Sequence, residues 1–238
     1  MRKGSEELRD LGVPEWRDGE AAVDAALRAF GVADLATVRF GTPLYDKVAR
    51  AREIDVWVEQ ETRQRERRAA DFDFGLCPEL YRDTDPQRLP EAAGRVLDYA
   101  YGPKGLLVHG ESGRGKTRAM WLLIRRLHVE DGRSLAFRDA LEFTEEAVAA
   151  YRLNNARSWA ERMTAAQVLF LDDLGKGRIT QRVGEGLFAV VDRRAQRRKP
   201  TFITTNFVGE TFKLRFEDQE TAEPLIRRLK EFFIPVAF

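Results

Sequence analysis

Residues 105–117 read GLLVHGESGRGKT, and the reading of this stretch decides the fold. An apolar run of strand character, Gly105 to His109, passes through Gly110, Gly113 and Gly115 into Lys116-Thr117 and a helical pattern. Glycine lets the backbone turn tightly enough to aim successive N–H groups at one point, and a helix N-terminus adds positive potential there. A chain of phosphates is the ligand that both features suit, so the segment predicts a nucleotide site. Gly110, Ser112, Gly113, Arg114 and Gly115 form the cradle; Lys116 reaches the β- and γ-phosphates, and the Thr117 hydroxyl is the expected Mg2+ ligand. Behind them Met120, Leu123, Ile124 and Leu127 recur at helical spacing, which gives the following helix a face to bury.

Further short apolar runs follow at residues 134–137, 168–171, 201–205 and 234–238, separated by helical patterns. Five strands alternating with helices predict an α/β fold, a parallel sheet covered on both faces. The runs are apolar throughout, as strands buried on two sides should be. Two of them end in chemistry, at the strand ends where open parallel sheets bind ligands. VLFLDD closes on Asp172, expected to orient Mg2+ through its water shell, and on Asp173, expected to polarise the attacking water. Asp173 is one methylene shorter than glutamate, so the water must sit closer or a second group must help. PTFITTN closes on Asn206, which can hold that water if its strand lies beside the other two; Thr205 is the alternative at that position.

The 238 residues suffice for one large domain or two small ones, and a boundary is expected near residue 70, giving domains 1–70 and 71–238. Residues 1–70 read as helices. Val23, Ala26, Leu27 and Phe30 share a face that ends at Gly31, and Thr42-Pro43 opens a second helix through Leu44, Val48, Ala51, Ile54 and Val58. This region holds 13 basic and 14 acidic side chains, which does not indicate a dedicated DNA-binding arm and suits a protein-docking module at least as well. Over the whole chain, 40 Lys plus Arg against 39 Asp plus Glu disfavours coating of nucleic acid by bulk charge. The single Cys77, with only His109 and His128 beside it, excludes an intrachain disulfide and a Cys/His zinc site. None of the three is given a catalytic role. Without a secretory leader or an apolar run long enough for a membrane span, a cytoplasmic, membrane-free protein is expected.

Four features together resemble the DnaC/IstB family of AAA+ ATPases, which includes bacterial and phage replicative-helicase loaders and the ATPase subunits of some transposons. They are GESGRGKT, LFLDDLG, the run from Leu187 through VDRR and RRKP into TFITTN, and the terminal LIRRLK. The resemblance covers about residues 71–238 and implies a lidless AAA+ P-loop ATPase that binds ATP and Mg2+ and works as a homo-oligomer with shared sites. It implies that Arg228, with Arg227 as the neighbouring alternative, enters the adjacent protomer's site, and that adenine recognition involves that neighbour and the segment Leu76 to Tyr81. It implies an extra helix between Arg138 and Arg162. The partners implied are a replicative helicase, docked by residues 1–70, and single-stranded DNA held in a central channel. Arg178, Arg193, Arg197, Arg198, Lys199, Arg152 and Arg157 are the candidate strand contacts, and Tyr151 and Trp159 are either packing residues or stacking platforms. A transposition regulator that assembles on duplex DNA and recruits a transposase is the alternative.

Overall fold

A computed structural model describes residues 2–13, 16 and 20–238, for Arg2, Lys3 and Thr221 the backbone only. The chain forms two compact units, Met1–Arg67 and Arg68–Phe238, and the division falls inside a long helix. In the first unit, α1 (Arg2–Asp10), α2 (Ala22–Ala29) and α3 (Pro43–Asp71) surround a small core of Leu8, Val13, Ala22, Ala25, Ala26, Ala51 and Ile54. The buried face of α2 is Ala22, Ala25 and Ala26; Val23, Leu27 and Phe30, expected to form it, are only half-buried. Small side chains let α2 approach α3 closely enough for the Asp55 carboxylate to accept the Ala22 and Val23 N–H groups, which caps a helix whose own first residue carries no capping side chain. Thr42 does cap α3, accepting the Tyr45 N–H at 3.2 Å. That helix passes the expected stop at Arg68 and continues to Asp71 and a π-turn over Phe72–Leu76, because Phe72 is drawn into the second unit's core.

The second unit holds α4 (Glu79–Arg82), α5 (Ala92–Leu97), β1 (Gly105–His109), α6 (Lys116–Arg125), β2 (Leu135–Asp139), α7 (Ala140–Arg152), α8 (Ala156–Ala165), β3 (Val168–Asp172), α9 (Gln181–Gln196), β4 (Thr201–Thr205), α10 (Glu210–Lys213), α11 (Gln219–Phe232) and β5 (Phe233–Ala237). The five strands form one sheet in the order β2-β3-β4-β1-β5, every pair parallel. Alternate side chains enter opposite cores: Leu169, Leu171 and Ile203 meet α7, α8, α9 and α11, while Val168, Phe170 and Phe202 meet α5 and α6. Burial on both faces holds fully for β3 and β4 alone. At the two edges, β2 is half-buried throughout and β5 exposes Ile234 and Pro235, the latter allowed because an edge strand needs no donor on its outer side. Two helices, α7 and α8, occupy the segment where an extra helix was expected. Trp159 on α8 is 1% exposed and donates its indole N–H to Glu146, so it packs and presents no ring for stacking. Among the described residues no helix is long and apolar enough to cross a membrane.

Candidate active site

Parallel pairing aligns the C-terminal ends of β1, β4 and β3 side by side, with β4 between the other two. The expected phosphate loop, the strand ending in Asn206 and the strand ending in Asp172 therefore emerge at one edge. Gly110 leaves β1 with φ +144°, and a Cβ there would lie 2.3 Å from the Phe238 carbonyl oxygen, so glycine is required twice over. Leu89 and Pro90 pack on the loop's far end, where a Cβ at Gly115 would meet Leu89 at 3.1 Å. Tyr81, in the segment expected to help recognise adenine, lies parallel to Trp121 and lines a cleft of about 580 Å³ with Asp172, Asp173, Thr144, Lys176 and Arg178.

Inside the loop, Lys116 Nζ donates to Gly110 O at 2.9 Å, Glu111 O at 2.8 Å and Asn206 Oδ1 at 2.8 Å. All three are uncharged oxygens, weaker partners for an ammonium than a phosphate oxygen. Burial lowers the Lys116 pKa, opposed by the nearby charges of Asp173 and Asp172. Exposed Arg114 is paired with Glu111 at 2.9 Å, and Ser112 is exposed. The Thr117 hydroxyl donates to Asp172 Oδ1 at 2.9 Å across the β1–β3 gap. Asp172 is 8% exposed; burial raises its pKa, opposed by hydrogen bonds from Thr204 and Thr117. A hydroxyl and one carboxylate fit Mg2+, which keeps several waters and binds phosphate oxygens as well; no group of three or more His, Cys, Asp or Glu able to cage a metal exists among the described residues. Asp173 has a left-handed backbone, φ +57°, and its carboxylate lies 3.5 Å from Lys176 Nζ.

Two contributors escaped the sequence reading. Thr204, fully buried on β4, donates its hydroxyl to Asp172 and accepts the Asp173 N–H at 2.8 Å. Arg215 donates to Gly175 O at 2.7 Å and Lys176 O at 3.1 Å, holding the loop after β3. The doublet Thr204-Thr205 at the end of a buried strand was the available signal, since hydroxyls there must find partners. Arg215 leaves no such mark.

The chain belongs to the IstB-like ATP-binding family.

The family's model matches residues 47–232, from within α3 to the end of α11. No curated protein is significantly similar in sequence. In three dimensions this IstB-like protein is similar to DnaI (19% identity, TM-score 0.56, 68% of this chain and 94% of that one) and to the DnaC helicase loader (20% identity, TM-score 0.51, 62% and 85%). It spans less than half, 43% and 44%, of a DNA replication initiation factor and of Aquifex aeolicus DnaA, matched at TM-scores of 0.47 and 0.49. The fold is that of the AAA+ P-loop ATPases, with a five-stranded parallel sheet flanked by helices, and the chain is an ATP-binding protein of its family.

The basic residues expected to share a channel surface divide between opposite ends of the sheet. Lys176, Arg178 and Arg182 are exposed at the nucleotide edge, after β3. Arg193 to Lys199 end α9 at the far edge, where β4 begins, so the two groups do not form one strip. There Arg194 is fully buried and donates to Met163 O, Ala166 O, Gln167 O, Pro200 O and Thr201 Oγ1. Arg197 pairs with Glu161 at 2.8 Å, Lys199 donates to Thr164 O and Ala165 O, and Arg193 reaches the Arg157 carbonyl. Arg198, Arg152 and Arg157 are exposed. On α11, Arg228 Nε lies 2.7 Å from Asp192 Oδ1, an ion pair without hydrogen-bond alignment, and the guanidinium also meets Glu231. Arg227, one residue earlier, is exposed.

Proposed function

We propose that this protein is an ATP-driven loader of a replicative helicase. The observation that carries the reading is the convergence of Lys116, Asn206, Thr117 and Asp172 at one sheet edge, in a fold that superposes on nearly the whole of DnaI. In this reading Lys116 leaves its three neutral oxygens for the β- and γ-phosphates, and Thr117 and Asp172 hold Mg2+. The metal, when bound, neutralises charge on the transferring phosphate. Asn206 and Asp173 position and polarise the attacking water. The short Asp173 side chain is helped by Asn206, which releases Lys116 as the phosphate takes its place. Residues 1–70 dock the helicase, the ATPase unit assembles with copies of itself in the cytoplasm, and Lys176, Arg178 and Arg182 are the cations best placed to meet single-stranded DNA near the nucleotide. Arg228, or the exposed Arg227, reaches the neighbouring site, a contribution of about 10³ to 10⁵ in rate where it operates.

Titrating the full chain against the cognate hexameric helicase with ATP tests the reading; no complex at high micromolar concentration rejects it. The family match keeps a second reading in view, a transposition regulator on duplex DNA. Cooperative coating of duplex in preference to single strands decides for that one. Mixing Asp173→Asn subunits with Arg228→Ala, or with Arg227→Ala, tests the shared site, because one mixture restores activity only if its arginine acts in trans.

A further inference from the structure

Asp172 and Asp173 are joined by a buried threonine, Thr204, that has no assigned role in the sequence motifs. Thr204 sits on β4, whose five residues are all buried, and is itself fully buried. Valine would pack there equally well, and an unsatisfied hydroxyl would be costly, so the hydroxyl requires partners. It has two, of fixed polarity. A backbone N–H can only donate, so Oγ1 accepts from Asp173 N at 2.8 Å; a carboxylate accepts, so the hydroxyl proton goes to Asp172 Oδ1. The Thr204 carbonyl adds a third link, accepting the Leu174 N–H at 2.9 Å.

These links fall where the β3–β4 register stops. Pairing runs from Leu169↔Thr201 to Leu171↔Ile203, after which Asp173 takes a left-handed backbone, φ +57°, a conformation uncommon outside glycine, asparagine and aspartate. One side chain therefore bonds the carboxylate of the last strand residue and the backbone of the first turn residue. Thr117, in the first turn of α6, donates to the same Oδ1, so the carboxylate accepts hydroxyls from α6 and from β4.

We propose that Thr204 is a positioning residue that orients the Asp172 carboxylate toward the metal and holds the Asp173 turn in place. It touches neither nucleotide nor metal. The proposal rests on the reading of Asp172 as the residue that holds Mg2+. Partners of this kind behind metal ligands typically change metal affinity or activity by about 10–100-fold when removed.

The test uses the purified full chain. Steady-state ATPase is titrated with Mg2+, and binding of a fluorescent ATP analogue is measured in Mg2+ and in EDTA. Thr204→Val is expected to raise the half-saturating Mg2+ concentration about tenfold and to lower kcat about tenfold, while analogue binding in EDTA stays within about twofold, as for removal of such a partner. Thr204→Ser, which keeps the hydroxyl, restores both quantities. A Thr204→Val protein with native Mg2+ dependence and kcat overturns the proposal. So does a serine variant as impaired as the valine one, or an equal loss of binding in EDTA, which marks a packing role. Should the valine variant fail to fold, Thr204→Cys is measured with the same expectations, and failure of both beside a native serine variant also overturns it. Asp172→Asn separates the two readings. If it leaves the Mg2+ dependence unchanged, the metal reading fails; if it shifts that dependence and Thr204→Val does not, only the role of Thr204 fails.

Discussion

The two ends of the sheet carry basic residues of the same kind and use them in opposite ways. At the nucleotide edge Lys176, Arg178 and Arg182 stand in solvent, and Lys176 lies 3.5 Å from the Asp173 carboxylate. At the far edge Arg194 lies fully buried beneath five acceptors, and Arg193, Arg197 and Lys199 are engaged by Glu161 and by backbone carbonyls of α8. Burial pulls the Arg194 guanidinium down to about 10, still charged at neutral pH. Four of its acceptors are carbonyls at chain reversals, where helix ends and strand starts leave oxygens without regular partners. Five donors in a planar fork satisfy several of them at once, which lysine could not do. A run of cations in a sequence is thus not yet a surface; its local charge becomes available only where the fold supplies no internal acceptor.

That contrast can be broken in four places. Arg194→Met should cost the most, about 3 kcal/mol or more, because charged hydrogen bonds are lost and carbonyls are left buried without donors. Thermal unfolding reads this as a fall of roughly 6–12 °C for a domain of this size, and a fall under about 2 °C would remove the structural role. Lys116→Ala should lower turnover at least about 100-fold, about 2.7 kcal/mol in barrier terms, with little change in melting temperature. Native turnover in a clean preparation contradicts the phosphate-loop assignment. Replacing Lys176, Arg178 and Arg182 together by alanine should weaken single-strand binding about tenfold at low salt and flatten its salt slope by about 2, near 0.7 per lost phosphate contact. Arg198→Ala at the other edge serves as the comparison and should leave the slope unchanged; equal effects at both edges would erase the distinction. Arg197→Ala should be the mildest, under about 1 kcal/mol, since its pair with Glu161 is nearly half exposed on both sides. Chemical denaturation measures it, and a loss above about 2 kcal/mol would show that this pair, too, is part of the core.

Much of the site was legible because phosphate binding depends on local backbone chemistry. Gly110, Gly113, Gly115, Lys116 and Thr117 must be close in sequence to do their work, and the strand before and helix after them follow from the same few residues. The α/β class and five strands were legible from alternating periods, with boundaries shifted by one or two residues at β2, β3 and β5. What was not legible depended on neighbours distant in the chain. Asp55 caps a helix 33 residues earlier, Leu89 packs on the far end of the phosphate loop, and Trp159 goes inward because Glu146 and Phe143 on α7 receive it.

The sequence by itself determined that a phosphate loop, two strand-end carboxylates and a strand-end asparagine exist, since each is written in residues a few positions apart. Only the tertiary structure decided that β4 lies between β1 and β3. That order brings Asn206 to Lys116 and Thr204 to Asp172, and it sends the end of α9 to the opposite edge. The physical reason is that a parallel crossover reverses direction through its helix: residues joined by a short turn at one end of the sheet are separated by the full length of a strand from those at the other.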